Sequence, residues 1–477
     1  MNVPFLISSI PMIAALLALT RTVPARRRET SKWEELGWMV FCAVLLVGFG
    51  GVWLATFPLT DSVAITTPDY QEYCSSVAAA LLNRTGDWSQ NRSVLSAVPA
   101  ILAGQRLGVP DGLLVGAWVG QGLLGAGLYL WGRSLHSPLA GVAATVAACA
   151  FFPLTALGRT LTFYPMIIGS LTFATGLMTL CWRRPSPLTA LAAGSAVALA
   201  LLIDLRGLAW ALPLGGLAAL RMVFSPSIRR IALLLGCLCV PIVASWYLAA
   251  YAYPPHSVTL EVLSDLTKGW KGIVDVKVNF VPGNASEGYI YGRSAPSRIP
   301  HTLQWLAEHS QIIPPELRSH QKTMRHLGQF VGPLAPALKL GAGLAVLALI
   351  RTPSRLVLLL GTALPFAVAL EGAVAARFAG LRFLANGAPL LALLYGLIIA
   401  VLVDGTTHPR RPAARLRLRG SVALGILLLF ISGTVSSPLS PMATWRGNYR
   451  FADQGLENQC PSPQGLPQQP TLVYSLP

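Results

Sequence analysis

The chain has 477 residues, of which 53% are hydrophobic and only 12% charged, and its net charge is +17. A soluble protein of this length carries about twice that share of charge, so a water-soluble enzyme is excluded by composition. Its basic residues sit in short clusters between apolar runs, a pattern that marks the cytoplasmic loops of a membrane protein rather than a nucleic-acid surface.

In chain order, the apolar run Pro4–Leu19 comes first and Arg21, Arg26, Arg27, Arg28 and Lys32 follow it. That order is the reverse of a signal peptide, so an uncleaved first span with its N-terminus outside is expected. Leu36–Phe57 then crosses outward and delivers Asp61 and Asp69 to the outer face. After Asp69, the apolar residues Tyr73, Val77 and Leu81 recur every fourth position, which predicts a short amphipathic helix. Asp69 follows Pro68 and precedes Glu72 by three, so two readings stand side by side. It caps this helix in an Asp form of the capping box, or it is a carboxylate held at the membrane surface for chemistry.

The next segment, Ser93–Leu107, is interrupted by Pro99 and carries Gln105 and Arg106. If it crossed the membrane, every later basic cluster would lie outside. If it does not, Arg133, Arg183–Arg184, Arg221, Arg229–Arg230, Arg351, Arg355 and Arg410–Arg419 all fall inside. The non-crossing arrangement gives about twelve spans: an all-α polytopic membrane protein. Residues 1–35 form an extra N-terminal span and basic loop. Residues 36–251 form a transmembrane core with a first external loop at 58–110. Residues 252–330 form a small extracytoplasmic subdomain, 331–437 further spans, and 438–477 a loosely ordered outer tail. Cys74 and Cys460 both face outward in this scheme and are free to pair, though no spacing rule requires it.

The short outer loops hold isolated charges: Arg159, Asp204, Arg206, Glu371, Arg377 and Arg382. Each alone reads as an interfacial anchor; several on the face that holds two aspartates suggest a site. Arg382 and Asn386 are four apart and share a helical face, whereas Arg377 lies further round the wheel. His301, His309, His320 and His326 show no helical metal-pair spacing, so no metal site is expected, and a divalent metal has no support in the sequence. Phosphate loops, GxSxG elbows and HExxH pairs are absent, which removes soluble-nucleotide and hydrolase chemistry. A base beside outward-facing cations is suited to deprotonating a hydroxyl while a phosphate departs.

Four stretches together resemble the GT-C superfamily of membrane glycosyltransferases, which includes protein O-mannosyltransferases and aminoarabinose transferases. Pro68-Asp69-Tyr70-Gln71-Glu72-Tyr73, running on to Gly86-Asp87-Trp88, is similar to that family's first external loop. Val94–Gly108 resembles its juxtamembrane helix. Leu161-Thr162-Phe163-Tyr164-Pro165 and Leu202–Pro213 resemble its short outer turns, and Arg382–Leu391 its arginine-led segment before a late helix. The chain departs from the pattern in having Tyr70 directly after Asp69, no acidic residue in Gly158-Arg159-Thr160, and an extra span in front.

The resemblance implies a GT-C-like bundle in the plasma membrane, working on its extracytoplasmic face. Its reaction would be an inverting transfer of a sugar from a polyprenyl-phosphate donor to the hydroxyl of a glycan, lipid or protein acceptor. Asp69 would be the base with Asp61 in reserve. Arg382, with Arg206 or Arg159, would neutralise the departing phosphate, and Arg377, Asn386, Glu72 and Tyr73 would line the substrate. The alternatives are a carrier of an anionic or lipid-linked solute, whose internal repeats are not seen, a ligase or polymerase moving a whole glycan, and a scaffold without activity.

Overall fold

The computed structural model describes residues 31–55, 65–66, 70–81, 94–150, 154–155, 157–204, 207, 210, 213–216, 353–375, 381–405 and 450–451. Among them are nine helices: α1 (Lys32–Ala55), α2 (Tyr70–Leu81), α3 (Val98–Leu107), α4 (Val109–Leu135), α5 (Pro138–Ala150), α6 (Tyr164–Arg183), α7 (Pro187–Ile203), α8 (Pro353–Ala375) and α9 (Leu381–Gly405). Two short 3-10 turns, Val94–Ser96 and Leu157–Arg159, lie between them, and two two-residue strands, β1 (Ile65–Thr66) and β2 (Arg450–Phe451), pair antiparallel. The spans at 4–19, 231–251, 331–350 and 421–437, the subdomain 252–330 and its four histidines lie outside the described residues.

Local chemistry sets the helix boundaries. Ser186 precedes Pro187 and closes a reciprocal cap on α7: the Thr189 amide donates to Ser186 Oγ at 3.1 Å and the Ser186 amide to Thr189 Oγ1 at 3.0 Å. Gly108, at φ 89°, turns the chain between α3 and α4, a conformation that glycine adopts without penalty. At ten residues, α3 is about 15 Å long, half the thickness of a hydrocarbon core, so the segment is too short to cross. Helices α4 and α6 contain stretches, Asp111–Leu135 and Tyr164–Arg183, that are long and apolar enough to span.

Helix α4 is the axis of the bundle. It packs on α1, α3, α5 and α6, and glycines permit each close approach. Gly120 faces Pro165 and Gly169 of α6, Gly127 faces Thr172 and Gly176, Gly125 faces Cys42 of α1, and Gly132 faces Gly141 of α5. Backbones meet directly at these points, the usual way membrane helices gain van der Waals contact. Trp131, fully buried, donates its indole N–H to Thr362 Oγ1 at 2.9 Å and packs on Phe366, which ties α4 to α8.

One end of the bundle is basic. Glu35 in the first turn of α1 accepts from Arg133 at 2.8 Å and lies 3.3 Å from Arg184. Arg183 donates to the Ser134 carbonyl at 2.9 Å. His136, at the turn between α4 and α5, is pushed down to about 4 by burial and by Arg355 near the start of α8. Of the arginines that the sequence grouped on one side, the described ones, Arg133, Arg183, Arg184 and Arg355, therefore share one end. The first turns of α1, α5 and α8 and the last turns of α4 and α6 are all there. Along one face of α1, Trp33, Leu36, Val40 and Val44 are exposed, a stripe suited to lipid.

Candidate active site

The opposite end holds the starts of α4 and α6 and the short 3-10 turns near them. Helix α9 runs toward it as well: Gly396, in its second half, packs on Ala140 and Ala144 near the basic end of α5, so the start of α9 lies away from that end. The amphipathic helix expected after Asp69 is α2. Its Tyr73 is buried, donates its hydroxyl to the Ser96 carbonyl at 2.9 Å, and meets Phe163 edge-on with ring centroids 5.9 Å apart. Phe163 in turn packs on Tyr164 at 4.5 Å. One tyrosine thus joins α2, the turn before α3 and the start of α6. The Val94–Ser96 turn also lies against α7.

A second tie fixes the turn that ends at Arg159. Gln121, 1% exposed in the middle of α4, donates its amide N–H to the carbonyls of Leu154 and of Thr155, the latter at 3.2 Å. Gly158 sits flush against the same carboxamide; a Cβ there would lie 3.2 Å from Gln121 Cγ. The Thr155 hydroxyl donates back to the Cys149 carbonyl at 2.6 Å and closes the end of α5. Two buried acids, Asp111 in the first turn of α4 and Asp204 just after α7, occupy this end.

The sequence-derived candidates divide as follows. Tyr73 is buried in the junction described, and Asn386 is half-buried in α9, four residues after Arg382. Glu72 falls in the first turn of α2, Arg159 at the end of its 3-10 turn, and Arg382 second in α9, so their positions belong to elements of this end. Asp61, Asp69, Arg206 and Arg377 lie outside the described residues. Gln121 was missed as a site-forming residue, although a lone amide inside a long apolar run is itself a signal. Asp204 was noted only as an outer charge. Among the described residues, no cluster of three metal-binding side chains forms. Cys74 is buried and disulfide-bonded, whereas Cys42, Cys149 and Cys181 are free.

Comparison with known proteins places this geometry. No family model and no curated protein sequence matches the chain. Solved structures do. The Archaeoglobus fulgidus oligosaccharyltransferase tethered to an acceptor peptide containing the NVT sequon aligns with a TM-score of 0.55 at 15% identity, over 90% of this chain and 57% of that one. The oligosaccharyltransferase AglB of the same organism, in complex with an inhibitory peptide and a dolichol-phosphate, aligns with a TM-score of 0.52 at 14% identity, over 90% and 57%. ArnT from Cupriavidus metallidurans bound to undecaprenyl phosphate gives a TM-score of 0.46 at 13% identity, over 87% and 74%. The chain spans a little over half the length of the archaeal enzyme. On that likeness, the chain shares the fold of the archaeal oligosaccharyltransferase over the part of that protein it matches.

Proposed function

We propose that the chain is an inverting glycosyltransferase of the plasma membrane, transferring a sugar from a polyprenyl-phosphate donor to an acceptor hydroxyl on the extracytoplasmic face. In this reading, the Asp69 carboxylate takes the acceptor proton as the acceptor oxygen bonds to C1 of the sugar. The bond from C1 to the phosphate oxygen breaks on the opposite side, and its electron pair leaves with the lipid phosphate. Asp61 is the reserve base. Arg382, with Arg206 or Arg159, neutralises the charge that builds on the leaving oxygen, and Glu72, Tyr73, Arg377 and Asn386 line the substrate. The spans number about twelve, and apolar helix faces hold the lipid tail.

The observation that carries the reading is the fold shared over 90% of the chain with a transferase solved in complex with dolichol-phosphate. A second reading, transfer of a whole glycan, draws on the same likeness, because that relative is an oligosaccharyltransferase.

The test is release of polyprenyl phosphate from lipid-linked donors bearing one sugar or an oligosaccharide, by the wild-type protein and by Asp69→Asn. Asn caps a helix about as well as Asp, so the substitution removes the base and leaves the cap. Loss of a general base costs roughly two to four orders of magnitude in rate. Equal turnover by both proteins would pass the role to Asp61, and no turnover on any donor would refute the transferase reading.

A further inference from the structure

Position 69 stands between two points of attachment. Three residues before it, Thr66 pairs with Arg450, and beside that pair Ile65 pairs with Phe451. Five residues after it, Cys74 is disulfide-bonded at the buried face of α2. We infer that the partner of Cys74 is Cys460, and that residues 450–460 act as a strap that positions the loop bearing Asp69. The effect on turnover rests on the transferase reading; the strap itself does not.

The assignment follows from what the other cysteines are doing. The chain has seven, and Cys42, Cys149 and Cys181 are free. Of Cys237, Cys239 and Cys460, the first two fall inside the apolar run Ile231–Tyr251, while Cys460 follows by nine residues a strand that already touches the loop. Nine residues reach up to ~30 Å, enough to turn back after an antiparallel pair. A two-residue ladder is far too short to hold itself together. A covalent bond close by raises the local concentration of its partner strand to about the millimolar range, which makes so small a pairing tenable. Ladder and disulfide thus support each other, with the acidic position between them.

Forming the bond takes two electrons and two protons from the two thiols. A disulfide oxidant of the extracytoplasmic space accepts them and is itself reduced to a dithiol. The strap is a positioning device: it touches no reacting atom and acts through the path of residues 66–74.

The experiment uses the full chain purified without reductant. Peptide mapping under non-reducing conditions is expected to recover the peptide of Cys74 linked to that of Cys460. A link to Cys237 or Cys239, or a free Cys74, overturns the inference. In Cys460→Ser, hydrogen exchange across 65–81 should rise at least tenfold while exchange in α4 and α6 is unchanged; unaltered exchange at 65–81 also overturns it. With a donor that the wild type uses, Cys460→Ser should lower kcat by roughly ten- to a hundredfold with little change in donor KM, as misplacement of a catalytic group does. Cys74→Ser and the double variant should match it, since both remove the same bond. Unchanged kcat overturns the positioning role. If the wild type turns over no donor, the transferase reading fails, and mapping and exchange alone decide the strap.

Discussion

Gly169 and Gly176 of α6 offer the sharpest test of how the bundle is held. A methyl group added at Gly176 would lie 2.6 Å from the Gly127 carbonyl oxygen and 2.9 Å from Leu130 Cβ. At Gly169 it would strike the Gly120 carbonyl, which is backbone and has no rotamer to retreat into. Either alanine therefore forces α4 and α6 apart by several tenths of an ångström or more, along the interface on which α4 depends. Overpacking of this kind costs about 1–3 kcal/mol. Gly37 in α1 supplies the control, because a methyl group there meets nothing within 4 Å. Gly37→Ala should instead gain about 0.5–1 kcal/mol from lower backbone entropy in the unfolded chain. Thermal midpoints in detergent, taken at one scan rate, should rank Gly37→Ala at or above wild type and both α6 variants below it by several degrees. Equal midpoints for Gly37→Ala and Gly169→Ala would refute the close backbone approach of α4 and α6.

Two further outcomes follow from the ends of the bundle. Gln121→Leu keeps the volume but leaves the Leu154 and Thr155 carbonyls without their donor. It should destabilise the protein by about 1–3 kcal/mol and raise the donor KM through the Arg159 turn, measured by thermal midpoint and by initial rates; wild-type values of both would exclude the latch. His136 is held neutral down to about pH 4 against an ordinary value of 6.5, by burial and then by Arg355. The unfolded chain therefore binds the extra proton first, so stability falls as pH drops from about 6.5 toward 4. His136→Gln should remove that part of the slope, and parallel pH profiles for the two proteins would contradict it.

The helices were legible in the sequence because single chemical signals mark them. The fourfold spacing of Tyr73, Val77 and Leu81, for example, predicts the helix that the structure shows as α2. The sharing of one end by Arg133 and Arg184 was legible too, since charge reports sidedness over the whole chain. Matches between elements were not. Gly120 and Gly127 recur at the interval of Gly169 and Gly176, yet nothing in either segment states that the two sets meet. The bond from Gln121 to Leu154 joins residues that no periodicity relates. Ile65-Thr66 and Arg450-Phe451 are too short to show alternation, so their pairing is invisible until the fold brings them together. Nor does any local spacing show that Tyr73 bonds to Ser96 and packs on Phe163.

The pairing of β1 with β2 also has a meaning in time. Ile65 and Thr66 leave the ribosome early, whereas Arg450 and Phe451 emerge after every described helix has been made. Throughout that interval the early strand has no mate, and a nascent chain interrupted before Arg450 never acquires one. Completion of the pair thus records that synthesis has passed that point. A protein built this way leaves the pairing of residues 65–66 unfinished until the described helices have already been made.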